Sequence, residues 1–96
     1  MRRAAKIDTT QPAIVDALLA IGCKVQTLAC VGMGVPDLLV ASPHGTLHLI
    51  ECKTPGGGLT WQQEKWRQAW GWPVHVVQTP DEAIRAVIGN VATIGD

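Results

Sequence analysis

The chain contains no tyrosine and no phenylalanine, although it has four tryptophans. Its three cysteines, Cys23, Cys30 and Cys52, form no C-x-x-C pair, which argues against a zinc site and favours reduced thiols. No apolar run reaches the roughly 20 residues that a membrane-spanning helix needs. The basic residues near the N-terminus are not followed by an apolar segment, so we expect no signal peptide and a cytoplasmic protein.

The chain also lacks net charge, because eight basic residues balance eight acidic ones. This balance argues against a strong nonspecific DNA binder, whose affinity would depend on many phosphate contacts. It does not exclude a nucleic-acid enzyme, since basic groups can cluster on one face. A chain of 96 residues has room for a single core, so residues 1–96 are expected to form one domain. Within it, residues 1–7 are predicted to be a flexible basic arm and residues 89–96 a tail.

Local patterns predict a mixed α/β domain. Ile14, Leu18 and Ile21 recur at helical spacing in the first segment, and "CKVQTLACV" is typical of an edge strand. "DLLVAS" and "TLHLIECK" flank a short turn and predict a β-hairpin. Thr60 and Gln63 form a capping box at the start of "WQQEKWRQAWG", and a strand and a helix follow. The order α-β-β-β-α-β-α predicts a central mixed sheet flanked by helices.

Three charged residues stand at the ends of the two strongly apolar hairpin strands. Asp37 begins the first strand, and Glu51 and Lys53 close the second. Because antiparallel pairing sets the start of one strand opposite the end of the next, we expect these residues to meet at one rim of the sheet. Two carboxylates there would repel each other unless a cation lay between them, and Mg²⁺ prefers such oxygen ligands.

Two interpretations of this trio are open from spacing alone. In the first, a metal held by the acids and the backbone carbonyl of Cys52 activates a water and offsets charge on a scissile phosphate. Lys53 would then orient the attacking water or stabilise the transition state. In the second, Asp37 only starts a strand, and Glu51 and Lys53 form an exposed pair that contributes less than ~1 kcal/mol.

The order of the motifs is similar to that of a known nuclease family. "VPD", an apolar strand, a turn, another apolar strand and "ECK" resemble the PD-(D/E)XK nuclease signature. The longer pattern "GVPDLLV…G…LHLIECK…LTWQQEKW" resembles the viral-type replication–repair nuclease family, VRR-NUC. In that family a "G-x-PDLLV" strand, an "E-x-K" strand and an "LT-x-x-Q" helix start recur in this order. The flanking elements extend the resemblance from about Asp8 to Ile88.

The resemblance implies a small restriction-endonuclease-like fold and a Mg²⁺- or Mn²⁺-dependent endonuclease that hydrolyses DNA phosphodiester bonds. It implies that Asp37 and Glu51 are metal ligands, that Lys53 is the catalytic lysine, and that Gln63 lies beside the site. Small stand-alone members resemble Holliday-junction resolvases and work as homodimers. The resemblance thus implies branched or junction DNA as substrate, a homodimer, and a phage or prophage origin in a bacterial cytoplasm. It implies neither a membrane nor a small-molecule substrate.

One position departs from the family pattern. The family commonly has a glutamate in the first helix, where this chain has Gln11. An amide oxygen can coordinate a metal but carries no charge, so Gln11 is a weaker candidate ligand and a second metal would bind weakly. The departure motivates a different function: a catalytically weakened module that binds DNA junctions. A structural subunit of a larger assembly is a third hypothesis.

Nucleic-acid contacts have several candidates outside the metal site. Those with a positive charge are Arg2, Arg3, Lys6, Lys65 and Arg67, and a solvated face is the equal alternative for them. Trp61 lies in the first turn of the second helix, where it could stack on an unpaired base. Trp66 and Trp70, four residues apart, are predicted to pack in the core, and Trp72 is a candidate dimer contact.

Overall fold

The computed structural model describes residues 9–89, which form three helices around a four-stranded sheet. The predicted order of elements is confirmed, and the predicted arm over residues 1–7 lies outside the described residues. None of the helices in the described part of the chain is long and apolar enough to cross a membrane. The elements are α1 (Gln11–Ala20), β1 (Lys24–Thr27), β2 (Leu38–Ala41), β3 (Leu47–Cys52), α2 (Trp61–Trp70), β4 (Val74–Val77) and α3 (Pro80–Ile88).

The sheet is mixed and has the strand order β1-β2-β3-β4. The first three strands are antiparallel neighbours, so the predicted hairpin is present, and β1 lies at an edge as expected. Strand β4 runs parallel to β3, which requires a crossover connection, and α2 lies in that connection. In the hairpin turn the backbone N–H of Ser42 donates to the carbonyl of Thr46 at 2.8 Å.

One face of the sheet forms the core. Side chains alternate between faces along a strand, so Leu38, Val40, Ile50 and Cys52 project to the same side, and all four are buried. Helices α1 and α3 pack against each other and cover this face. Their contributions include Ile14 and Leu18, which confirms the predicted buried side of the first helix. The other core residues are Cys23, Val77, Ala83 and Val87.

Helix α2 lies on the opposite side and buries none of its residues. Its capping box is present: Thr60 Oγ1 accepts from the Gln63 backbone N–H at 3.2 Å, and Gln63 Oε1 accepts from the Thr60 N–H at 2.8 Å. The prediction that Trp66 and Trp70 pack in the core is wrong. Their rings stack on each other with centroids 4.9 Å apart, and Trp70 is 66% exposed.

The start of α1 contacts the end of β3. Thr10 precedes the helix, but its side chain makes no capping hydrogen bond. Its hydroxyl donates instead to the carbonyl of Lys53 at 3.3 Å. The contact joins residues 43 positions apart and brings the first turn of α1, with Gln11, close to the end of the hairpin.

The loop before β2 presses on the first turn of α2. Gly34 has a φ of +86°, in the left-handed region that favours glycine. A Cβ on Gly34 would lie 2.8 Å from the carbonyl carbon of Gln62 and 3.2 Å from the Gln63 nitrogen, and closer still to the Gln62 oxygen. Real side chains do not tolerate such distances, so glycine at this position allows the loop and the helix start to meet.

We predict that Gly34→Ala destabilises the protein more than Gly32→Ala. Both glycines have positive φ, so either substitution costs about 1 kcal/mol or more in backbone strain. Only Gly34 also lacks room, since a Cβ on Gly32 would meet nothing within 4 Å. In urea denaturation, the free energy of unfolding should fall by ~1 kcal/mol for Gly32→Ala and by roughly 3 kcal/mol for Gly34→Ala. Equal losses would show that the contact with α2 contributes nothing.

Candidate active site

The hairpin register brings the predicted charged residues together. Leu38 pairs with Ile50, which sets Asp37 opposite Glu51 in the antiparallel ladder. Both carboxylates therefore lie on the sheet face that α1 and α3 leave open. Lys53 reaches the same place, with its Nζ 3.6 Å from Glu51 Oε2. The exposed strand-end pair of the second interpretation is wrong, because Glu51 is only 3% exposed.

Backbone and side-chain donors fix both carboxylates. The backbone N–H of Cys52 donates to Asp37 Oδ2 at 2.7 Å, a charge-assisted contact that ties the start of β2 to the end of β3. The amide Nε2 of Gln63 donates to Glu51 Oε2 at 2.8 Å. Because the other end of the Gln63 amide belongs to the capping box, one side chain both starts α2 and orients Glu51. Its predicted place beside the site and its capping role hold simultaneously.

The environment of Glu51 strongly favours its protonated form. Burial, followed by the negative charge of Asp37, raises the pKa of Glu51 to about 8, although Lys53 acts in the opposite direction. A hydrogen bond to Asp37, which only the protonated carboxyl can donate, raises the pKa further. The two acids are thus close enough to share one proton between them.

A site of this kind fits a divalent cation. A metal ion between Asp37 and Glu51 would take the place of the shared proton, and Mg²⁺ is commonly held by one or two carboxylates plus waters. Within residues 9–89 no group of three or more His, Cys, Asp or Glu side chains could hold a metal ion. Among the described residues, the site therefore has two acids, Asp37 and Glu51. The carbonyl of Cys52 stays a predicted ligand, although Cys52 lines the site.

Gln11 is buried at the start of α1 and is 4% exposed. Its Oε1 has no hydrogen-bond partner among the described residues. A buried polar atom without a partner is costly, typically by about 1–3 kcal/mol, so an oxygen left in this state suits a ligand or a water. Gln11 does not line the cleft described next, and its role as a ligand stays a prediction.

The acids and the lysine lie in an open cleft of about 600 Å³. One wall is the loop before β2, which includes Met33 and Gly34, and the other is the start of α2, with Gln62 and Gln63. The end of β3 and the two residues after it, from Glu51 to Thr54, form the floor between them. An open space of this size beside Asp37 and the buried Glu51 can admit an extended charged substrate.

The basic residues that were predicted to contact phosphate have three different outcomes in the structure. Arg67 forms a 2.8 Å salt bridge with Glu64 on the surface of α2, so its charge is already partly balanced. Lys65 projects over the ring of Trp61, with its Nζ 5.6 Å from the ring centroid. Arg2, Arg3 and Lys6 lie outside the described residues.

Two residues that matter to the site were not predicted from the sequence. Gly34 allows α2 to approach, and Thr10 joins α1 to the end of β3. The glycine just before "VPD" was a usable signal, because glycine is favoured where backbones approach closely. The Thr10 contact had no signal, since a threonine before a helix normally indicates a cap.

Comparison with solved structures identifies the fold. A structure described as a "VRR_NUC domain" superposes with a TM-score of 0.62 at 24% sequence identity, and the match covers 81% of this chain and 89% of that one. The chain has the VRR-NUC fold. No family model matches the sequence, and no curated protein matches it. The VRR-NUC resemblance stated from motifs is therefore confirmed at the level of three-dimensional structure.

We predict that the metal-free protein loses stability as pH rises from about 4.5 toward about 8. The pKa of Glu51 is higher in the folded protein than its ordinary value of 4.5, so over this range the folded state binds a proton that the unfolded chain has released. The contribution is complete below pH 4.5 and is lost as pH passes the folded pKa near 8. Glu51→Gln should remove this loss in urea denaturation with EDTA.

The comparison between variants isolates Glu51 from other titrating groups. Burial lowers the pKa of His75, and burial followed by the charges of His75 and His44 lowers the pKa of His48, so both rings raise stability as pH increases to about 6.5. Glu64→Gln, at an exposed carboxylate, is the matched control and should keep the wild-type profile. The prediction fails if Glu51→Gln shows the same decline as the wild type.

Proposed function

We propose that this protein is a metal-dependent DNA endonuclease that hydrolyses phosphodiester bonds. The observation that carries the proposal is the close pair formed by Asp37 and the buried Glu51, which lies beside Lys53 in an open cleft. The VRR-NUC fold supports it, because that name denotes a nuclease domain and the similarity covers most of both chains.

Asp37 and Glu51 would hold Mg²⁺ or Mn²⁺ through their carboxylate oxygens. When bound, the cation lowers the pKa of a water and offsets charge on the phosphate. Lys53 lines the cleft, where its Nζ can donate hydrogen bonds to the attacking water or to the phosphate oxygens. Gln63 holds Glu51 in place from α2, and the Cys52 N–H holds Asp37 from β3.

The rival function, a weakened module that binds DNA junctions, keeps one specific observation in its favour. Gln11 stands where the family commonly has an acid, and the described residues offer only two carboxylates at the site. Fewer charges should weaken metal affinity rather than abolish it, since Mg²⁺ is often bound by one or two carboxylates. We therefore place hydrolysis first and binding without cleavage second.

Structure selectivity and a homodimer belong to the same proposal. The open sheet face carries apolar side chains that α1 and α3 do not cover: Leu47 is 60% exposed and Val76 41%. Trp72, between α2 and β4, is 55% exposed. Exposed apolar side chains of this kind favour association, and a second copy would present two sites to a symmetric branched DNA.

We predict that the protein is a dimer in solution and that Leu47→Lys dissociates it. A lysine in the middle of an apolar contact would have to be buried without a partner. Sedimentation equilibrium should give twice the 10.2 kDa chain mass for the wild type and a monomer for the variant. Leu19→Lys, at a similarly exposed leucine on the other side of the sheet, is the control and should stay dimeric. A monomeric wild type rejects the dimer.

We predict that the wild type cleaves a labelled four-way junction in Mn²⁺ and that Lys53→Ala lowers the rate by about 10²–10³-fold. The physical reason is the loss of the lysine side chain that would donate hydrogen bonds to the phosphate oxygens in the transition state. Lys24→Ala, at an exposed lysine in edge strand β1, is the matched control and should cleave normally. A linear duplex of the same sequence tests structure selectivity.

Metal binding is measured separately from cleavage. Asp37→Asn should weaken Mn²⁺ binding in a calorimetric titration, and EDTA should stop cleavage, because the acids act through the cation. Binding of the junction without cleavage by wild type and Lys53→Ala alike would favour the binding module. Cleavage that persists in Lys53→Ala would contradict the assigned role of the lysine.

A further inference from the structure

Two exposed apolar side chains belong to the two segments that form the walls of the cleft. Met33 is 82% exposed and lines the cleft from the loop before β2. Trp61 is 69% exposed in the first turn of α2. The two segments touch one residue further along each, where Gly34 meets the carbonyl of Gln62. We call Met33 and Trp61 the apolar lip.

Met33 has a backbone conformation that residues with a side chain rarely adopt. Met33 has a φ of +59°, the single positive value among non-glycine residues in the described part of the chain. Left-handed backbone is costly for a residue with a side chain, and such strain clusters at sites that bind ligands. A loop that only connected two strands would gain from glycine or asparagine here.

Two lysines, Lys65 and Lys53, lie near residues of the apolar lip. Lys65 lies over the Trp61 ring, with its Nζ 5.6 Å from the centroid, and it forms no salt bridge within residues 9–89. Lys53 lies on the floor of the same cleft. The other strongly exposed tryptophan of α2 differs, because Trp70 stacks on Trp66 and the nearby Arg67 is paired with Glu64.

The flat ring of Trp61 beside Lys65, together with the thioether of Met33, suits an aromatic base joined to an anionic phosphate. Stacking on a tryptophan tolerates any base, since every base has a π-face. Bases inside a duplex are already stacked on their neighbours, so only an unpaired base can reach such a surface.

We propose that the apolar lip binds an unpaired nucleobase of DNA whose phosphate enters the cleft. The inference rests on the proposed function and narrows its substrate to DNA with single-stranded or unpaired nucleotides, such as a flap, a gap or an open branch point. Trp61 supplies the stacking surface, Met33 a second apolar contact, and Lys65 a phosphate contact.

Binding of fluorescently labelled oligothymidylate and of a blunt duplex of equal length, both in EDTA, tests the proposal. Trp61→Leu should weaken binding of the single strand about tenfold and change binding of the duplex less than twofold. Trp61→Phe should restore most of the single-strand affinity. Trp70→Leu removes an equally exposed tryptophan from the far end of α2 and should change neither affinity more than twofold.

Three results would overturn the proposal: equal losses in Trp61→Leu and Trp70→Leu, equal losses for single strand and duplex, or no binding of either oligonucleotide by the wild type. In the last case, a blue shift of tryptophan fluorescence with phosphatidylcholine vesicles would indicate that the lip contacts lipid. Circular dichroism of each variant checks that α2 remains folded.

The wild-type cleavage assay in Mn²⁺ separates this inference from the nuclease proposal. Binding of the single strand that depends on Trp61, without cleavage of any DNA, rejects the nuclease and keeps the base site. Cleavage that is accompanied by single-strand binding independent of Trp61 keeps the nuclease and rejects the base site.

Discussion

The contact between Asp37 and Glu51 across the hairpin is the constraint on which the rest of this structure depends. The carboxyl of Asp37 is held next to the buried carboxyl of Glu51, and burial followed by the charge of Asp37 raises the pKa of Glu51 to about 8. The repulsion between these two carboxylates makes the site suitable for a divalent metal ion. A protein selected only for stability would replace one of these acids.

The hairpin register and two hydrogen bonds hold Asp37 and Glu51 in a defined geometry. The hairpin register fixes the separation of the two residues, and the N–H of Cys52 holds Asp37. Gln63 reaches Glu51 from α2, a helix that buries none of its own residues. Its start is held by the close approach of Gly34 and by the hydrogen bond to Glu51, so the second wall of the cleft depends on a few specific contacts.

The sheet face that α1 and α3 leave open carries both the candidate active site and exposed apolar side chains. Alternation along β3 sends Ile50 and Cys52 into the core and Glu51 to the other side, so the acids share their face with exposed apolar residues such as Val76. The described contact between α2 and this face is made by Gln63, in the first turn of the helix. A nucleobase at the lip and a second copy on the sheet would use different parts of it.

The sequence by itself determined the order of the helices and strands, the hairpin, and the convergence of Asp37, Glu51 and Lys53. These follow from alternation, capping and antiparallel pairing, which are local or involve neighbouring strands. Only the tertiary structure decided that Trp66 and Trp70 stack on each other outside the core, that Thr10 contacts the end of the hairpin, and that Gly34 meets α2. A period of 3.6 residues tells which side chains share a helix face, but it cannot tell what that face meets. That depends on contacts between segments distant in the chain, which no local pattern encodes.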